Sequence, residues 1–159
     1  MASTASTVGL GLKRILVAVD FTQSSRKAIE HGAMLARACG AKLYLAHVVS
    51  SLAFTLSGPE SIAMAGDAAR EDISRLENEL LASGLLKGIS HESIVRQGNV
   101  GEQLETVVEQ EHIDMIVVGS HGHAGLGKIA SVAEEIFRRV SCPVLTVGPC
   151  VPSKAASKN

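Results

Sequence analysis

Short runs of apolar, β-branched residues alternate along this chain with segments whose apolar residues recur every three or four positions. That alternation constrains the fold more than any other feature. Arg14 to Val19 (RILVAV), Leu43 to Val49 (LYLAHVV), Asp114 to Val118 (DMIVV) and Pro143 to Val147 (PVLTV) read as strands, the second of them buried and the third central. His91 to Arg96 (HESIVR) reads as a more polar strand near a sheet edge. Between them, helical spacing places Ala28, Gly32, Leu35, Ala36 and Cys39 on one face, with Thr22 or Ser24 as cap and Gly40 as stop. A second helix is expected from about Ile62 to Ser83, with Ile73, Leu76, Leu80 and Leu81 inward. A third runs from Asn99 to Glu111, with Val100, Leu104, Val107 and Val108 inward. A fourth runs from Ser131 to Val140, with Val132, Ala133, Ile136, Phe137 and Val140 inward.

Five strands and four helices in alternation predict one doubly wound α/β domain. Continuous apolar strands call for a parallel sheet covered on both faces, and right-handed crossovers place helices on each side. Strand orders 2-1-3-4-5 and 3-2-1-4-5 both fit this count. The folded part is expected over 13–149, between a loose Ser/Thr/Ala/Gly-rich tail at 1–12 and a polar tail at 150–159.

Composition narrows the partners. Lys plus Arg is 15 against 16 for Asp plus Glu, which argues against a broad nucleic-acid footprint. Aromatic residues are 3% with no Trp, so no base-stacking platform is expected. No apolar run is long enough to span a bilayer, and no signal-peptide pattern precedes Lys13. Cys39, Cys142 and Cys150 show no metal or redox spacing and read as free thiols in a reducing cytoplasm.

In an open α/β sheet, ligands bind beyond the carboxyl ends of the strands, where the winding reverses. Asp20 follows the first strand, with Thr22, Ser24 and Ser25 behind it. The fourth strand runs into a Gly-rich loop, Gly119 to Lys128 (GSHGHAGLGK), ahead of a helix. Such a loop offers backbone N–H groups to an anion. It is not a Walker A loop, because Ile129 follows Gly127 and Lys128 where Ser or Thr must bind Mg²⁺. Phosphate binding and a plain connecting loop both remain open on this ground.

Lys13 to Asp20 (KRILVAVD), Ala46 to Val49 (AHVV), Gly98, Val118 to Gly122 (VGSHG), Ser131 to Glu134 (SVAE) and Ser141 to Leu145 (SCPVL) together resemble the universal stress protein family. The resemblance runs from about Lys13 to Val147. It implies sheet order 3-2-1-4-5 and a homodimer paired through the last strands. It also implies an adenine-nucleotide site for ATP in part of the family. Asp20 matches the acid near ribose and adenine, and Val48 the backbone position at the adenine edge. Gly119 and Gly122 match the first half of the glycine pattern, and Ser131 the phosphate-binding hydroxyl.

The second half of that pattern departs from the family. Eight residues, His123 to Ala130, separate Gly122 from Ser131 where the family has ten, and Ala130 stands in place of a Gly. A two-residue deletion in helix would turn Ser131 by roughly 200° and move it about 3 Å. Nucleotide binding is therefore expected to be weakened, altered or lost, leaving a purely structural dimeric interaction module as the alternative.

Single residues carry competing readings. Asp20 also suits a helix cap. His47, among apolar neighbours, is expected to be a hydrogen-bonded core histidine. His121 and His123 lack an evident third metal ligand. Lys128 either neutralises phosphate or is simply exposed. The charge run from Arg70 to Glu79 reads as the wet face of a helix. No GxSxG elbow or hydroxyl–His–Asp arrangement is visible, so no hydrolase is expected. A slow ATPase or self-phosphorylating protein using Ser131 or a loop hydroxyl is the enzymatic alternative. A phospho-receiver would need an Asp after the third strand, where Gly98 and Asn99 stand.

Overall fold

A computed structural model describes residues 9–51, 58–120 and 129–148, with backbone alone at 129–131. Its elements are β1 (Arg14–Ala18), α1 (Gln23–Cys39), β2 (Lys42–Ser50), α2 (Pro59–Ala82), β3 (His91–Gly98), α3 (Val100–Gln110), β4 (Met115–Gly119), α4 (Ile129–Arg139) and β5 (Val144–Val147). The strands form one parallel sheet in the order β3-β2-β1-β4-β5. This decides between the two strand orders that element count left open. The winding reverses at β1, which pairs with β2 on one side and β4 on the other.

The strands alternate their side chains between two cores. Ile15, Val17, Leu43 and Leu45 point toward α1 and α2, packing with Ala28, Ile29, Ile73 and Leu76. Leu16, Tyr44, Ile116 and Val118 point the other way, onto Leu104, Val107 and Ile136 of α3 and α4. Burial on both faces explains why these strands read as continuous apolar runs instead of alternating ones.

The helix boundaries follow from local chemistry. The Thr22 hydroxyl accepts from the Ser25 N–H and caps α1. At the other end Gly40 takes a left-handed φ of 66°, and its N–H bonds the Ala36 carbonyl. Asn99 caps α3 in the same way through Glu102. Pro59 occupies the first turn of α2, where its missing N–H leaves no intrahelical bond unmade. The helix therefore begins at the Gly-Pro step and not after it.

Several expectations need correction. Leu81 is 46% exposed, because the buried stripe of α2 runs through Gly66, Ala69, Ile73, Leu76 and Leu80. Val132 and Phe137 are also exposed, at 45% and 69%; α4 meets the core through Ile136, with Ala133 and Val140 packed beside it. A helix flanking the terminal strand covers only one narrow stripe, so residues that fit an amphipathic face in sequence fall outside it.

Asp114 lies before β4 rather than in it. One carboxylate oxygen accepts from the Lys13 and Arg14 N–H groups, each at 2.8 Å, and so fastens the entry to β1 against the entry to β4. Removing it in Asp114→Ala leaves both donors to solvent. A loss of about 1–2 kcal/mol is expected in urea unfolding, and an unchanged midpoint would show the clasp to be idle.

Candidate functional site

The carboxyl ends of β2, β1 and β4 lie side by side, so the segments carrying Val48, Asp20 and Gly119 converge at one rim of the sheet. β1 and β2 pair as far as Ala18 with Ala46, and the Val19 N–H reaches the Ala46 carbonyl at 2.7 Å. β2 then continues from His47 to Ser50 beyond β1, still paired with β3. Val48 sits on that overhang. Its side chain packs into the core beneath α3 and α4.

Gly119 brings the other wall in. A Cβ placed there would lie 2.7 Å from the Ser24 backbone carbon and 2.8 Å from the Ser24 oxygen. Only a residue without a side chain lets the end of β4 approach the first turn of α1 this closely. The Ser120 N–H continues the ladder to the Val147 carbonyl at 2.9 Å. The end of β4 and the first turn of α1 are thus neighbours at the rim where β1 ends.

Asp20 is not the cap of α1; Thr22 is. The Asp20 Oδ1 atom accepts from the Thr22 N–H at 3.0 Å and from the Thr22 hydroxyl. The Asp20 N–H reaches Ser25 Oγ at 3.4 Å, and that hydroxyl bonds the Thr22 carbonyl. The carboxylate is held in a single arrangement just ahead of the helix N-terminus, where negative charge is favoured.

Between Asp20 and Thr22, Phe21 adopts a left-handed φ of 62°. For a bulky side chain this costs about 1–2 kcal/mol. Its ring packs at 4.7 Å from the His47 imidazole, tilted by 51°. His47 Nδ1 lies 2.6 Å from the Val19 carbonyl. A carbonyl only accepts, so the proton of this bond resides on Nδ1. The expectation of a hydrogen-bonded histidine holds, though His47 is half-buried rather than enclosed.

Other candidate positions are less fully placed. Gly122, His121, His123 and Lys128 lie outside the described residues, as does Cys150. The Ser131 backbone stands in the first turn of α4, with its side chain outside the description. Among the described residues no group of three or more His, Cys, Asp or Glu could hold a metal ion. Cys39 and Cys142 are half-buried free thiols, and burial pushes the Cys142 thiol up, which keeps it protonated and unreactive at neutral pH.

The charge run on α2 is only partly a wet face. Arg70 pairs with Asp67 and Arg75 with Asp72 at the surface, but Glu77 turns inward. It receives His91 Nε2 at 2.9 Å and the Ser93 hydroxyl at 2.8 Å. The carboxylate stands between the other two groups, so Ser93 is not activated by the imidazole. The cluster ties the edge strand β3 to α2.

A family model for the Universal stress protein family matches residues 11–148. This chain belongs to the universal stress protein family. It is 31% identical over 137 residues to universal stress protein A homolog 1 of Coxiella burnetii, covering 85% of this chain and 95% of that protein. The solved structure of MJ0577, a universal stress protein of Methanocaldococcus jannaschii, superposes with a TM-score of 0.72 at 25% identity, over 87% of this chain and 96% of that one. Two further structures share the fold. A universal stress protein in complex with cAMP has a TM-score of 0.64 at 24% identity, covering 86% and 97%. An Arabidopsis thaliana family protein with AMP bound has 0.62 at 20% identity, covering 89% and 97%.

The notable feature that sequence reasoning missed is the Phe21 turn. Nothing in the run from Val19 to Ser25 (VDFTQSS) signals a left-handed phenylalanine, because the restraint comes from β2. No described helix is long and apolar enough to cross a membrane.

Proposed function

We propose that this universal stress protein is a non-enzymatic, cytoplasmic stress-response module that binds ATP or another adenine nucleotide across the loops after β1 and β4. Asp20 meets the ribose and adenine side, and the Val48 main chain meets the adenine edge. Gly119 and Gly122 let backbone N–H groups approach the phosphates, and Ser131 at the start of α4 offers them a hydroxyl. The observation that carries this reading is the close approach of Gly119 to Ser24 beside a carboxylate held by Thr22. The adenine nucleotides in two structures of the same fold support the ligand class.

The test is calorimetry of nucleotide-free protein with ATP, ADP and AMP, together with mass analysis of any co-purified ligand. Saturable binding that Asp20→Ala removes is the expected result. Absence of binding and of co-purified ligand would sink the nucleotide reading.

The shortened segment from His123 to Ala130 favours a second reading, a nucleotide-free interaction module. Both readings make a prediction about the same variant. Inserting two residues between Gly122 and Ser131 together with Ala130→Gly is expected to raise ATP affinity about tenfold, equivalent to about 1.4 kcal/mol. If the wild type already binds ATP and the variant binds no more tightly, the loop has a working geometry and the nucleotide-free reading fails; if neither binds, the shortened segment is not what prevents binding.

The interaction itself is proposed to be homodimerisation along β5. This strand ends the sheet and pairs with β4 on one side. Leu145 on it is 37% exposed, and Phe137 on the adjoining α4 is more so. An apolar terminal strand is a template for pairing with another chain. Leu145→Lys is expected to shift sedimentation from dimer to monomer at micromolar protein. A wild-type monomer, or a dimer indifferent to this change, would overturn the assignment.

A further inference from the structure

We infer that His47 is a positioning residue for the nucleotide site, acting through the turn that presents Asp20. The inference rests on the reading that Asp20 meets a nucleotide. His47 grips the chain on both sides of that residue. Its Nδ1–H holds the carbonyl of Val19, the residue before, at 2.6 Å. Its ring packs against Phe21, the residue after, at 4.7 Å.

A left-handed phenylalanine persists only where its surroundings over-determine it. Here the determinants come from two elements. The Asp20–Thr22 bonds hold the turn from the α1 side, and His47 holds it from β2. His47 is also adjacent to Val48 on the overhang of β2 beyond β1. One strand segment therefore carries the proposed adenine-edge backbone at Val48 and, through His47, restrains the turn that presents Asp20. Without His47, Phe21 relaxes toward ordinary backbone angles and the carboxylate leaves its place.

The experiment uses the full chain, stripped of nucleotide, with ATP as the titrant. His47→Asn keeps an N–H near the position of Nδ1 and loses the ring. His47→Phe keeps a ring and loses the donor, and His47→Ala loses both. ATP affinity is expected to fall about tenfold in His47→Ala and by less in the two partial variants. In an Asp20→Ala background, the His47 substitutions are expected to add less than about twofold, because their effect passes through that carboxylate. Hydrogen exchange of the Thr22 amide, which bonds Asp20, is expected to quicken about tenfold in the same order of variants. Wild-type affinity in folded His47→Phe and His47→Asn, or full additivity with Asp20→Ala, overturns the inference. Unchanged Thr22 exchange with ATP binding intact overturns the role of His47 alone. Failure of the wild-type chain to bind ATP, ADP or AMP overturns the nucleotide reading and this inference with it.

Discussion

Gly119→Val is expected to lower the melting temperature by about 2–10 °C and to abolish nucleotide binding. The physical reason is local and severe. The first carbon of any side chain at this position would lie 2.7 Å from the Ser24 backbone carbon. A backbone cannot swing aside as the tip of a flexible side chain can. Either β4 withdraws from β1 or the first turn of α1 moves, taking with it the Thr22 cap that orders Asp20. Overpacking of this kind costs about 1–3 kcal/mol, and the branched side chain places it at the upper end. Gly119→Ala should show a smaller shift in the same direction. Scanning calorimetry and ATP titration of the two variants check this series, and a Gly119→Val protein that melts and binds like wild type would refute the close-approach argument.

The second large effect is in the core. Ile116→Ala is expected to cost about 2–5 kcal/mol. Ile116 is fully buried in β4 and packs in the layer with Leu16, Leu104, Val107 and Ile136. It is paired with Leu16 on one side and Val144 on the other, so the neighbouring strands hinder collapse into the cavity. Total stability of a domain is about 5–15 kcal/mol, so this one truncation removes a large share of it. In urea the midpoint should fall with little change in slope. Phe137→Ala removes a larger side chain but one that is 69% exposed, and should stay within about 0.5 kcal/mol. Equal losses for the two would mean that the exposed phenylalanine is covered in solution, which the proposed dimer allows and the monomer does not.

Much of the fold is legible in the sequence, and the reason is burial. Arg14 to Val19 and Asp114 to Val118 read as strands because, after the charged residue that opens each run, both faces are largely covered and no polar residue interrupts. Thr22, Gly40 and Asn99 marked helix ends because capping is chemistry within a few residues. The errors at Leu81, Val132 and Phe137 have one shared cause. Periodicity shows that a helix has an apolar side, but the width of the buried stripe depends on the neighbour it meets. For the site, Asp20 and Gly119 are legible as residues at strand ends and the family resemblance implies that they share a site, whereas the contact of Gly119 with Ser24 is visible only in three dimensions.

The chain's own order of residues therefore dictated an α/β alternation, its strand and helix positions, and the chemistry available at each strand end. These depend on contacts between near neighbours and on which side chains avoid water. Three-dimensional packing settled what depends on distant segments: the placing of β4 beside β1, the contact between Gly119 and Ser24, and the grip of His47 on both sides of Asp20. A left-handed Phe21 is unfavourable to the segment that contains it, so it becomes stable only when another strand supplies the restraint.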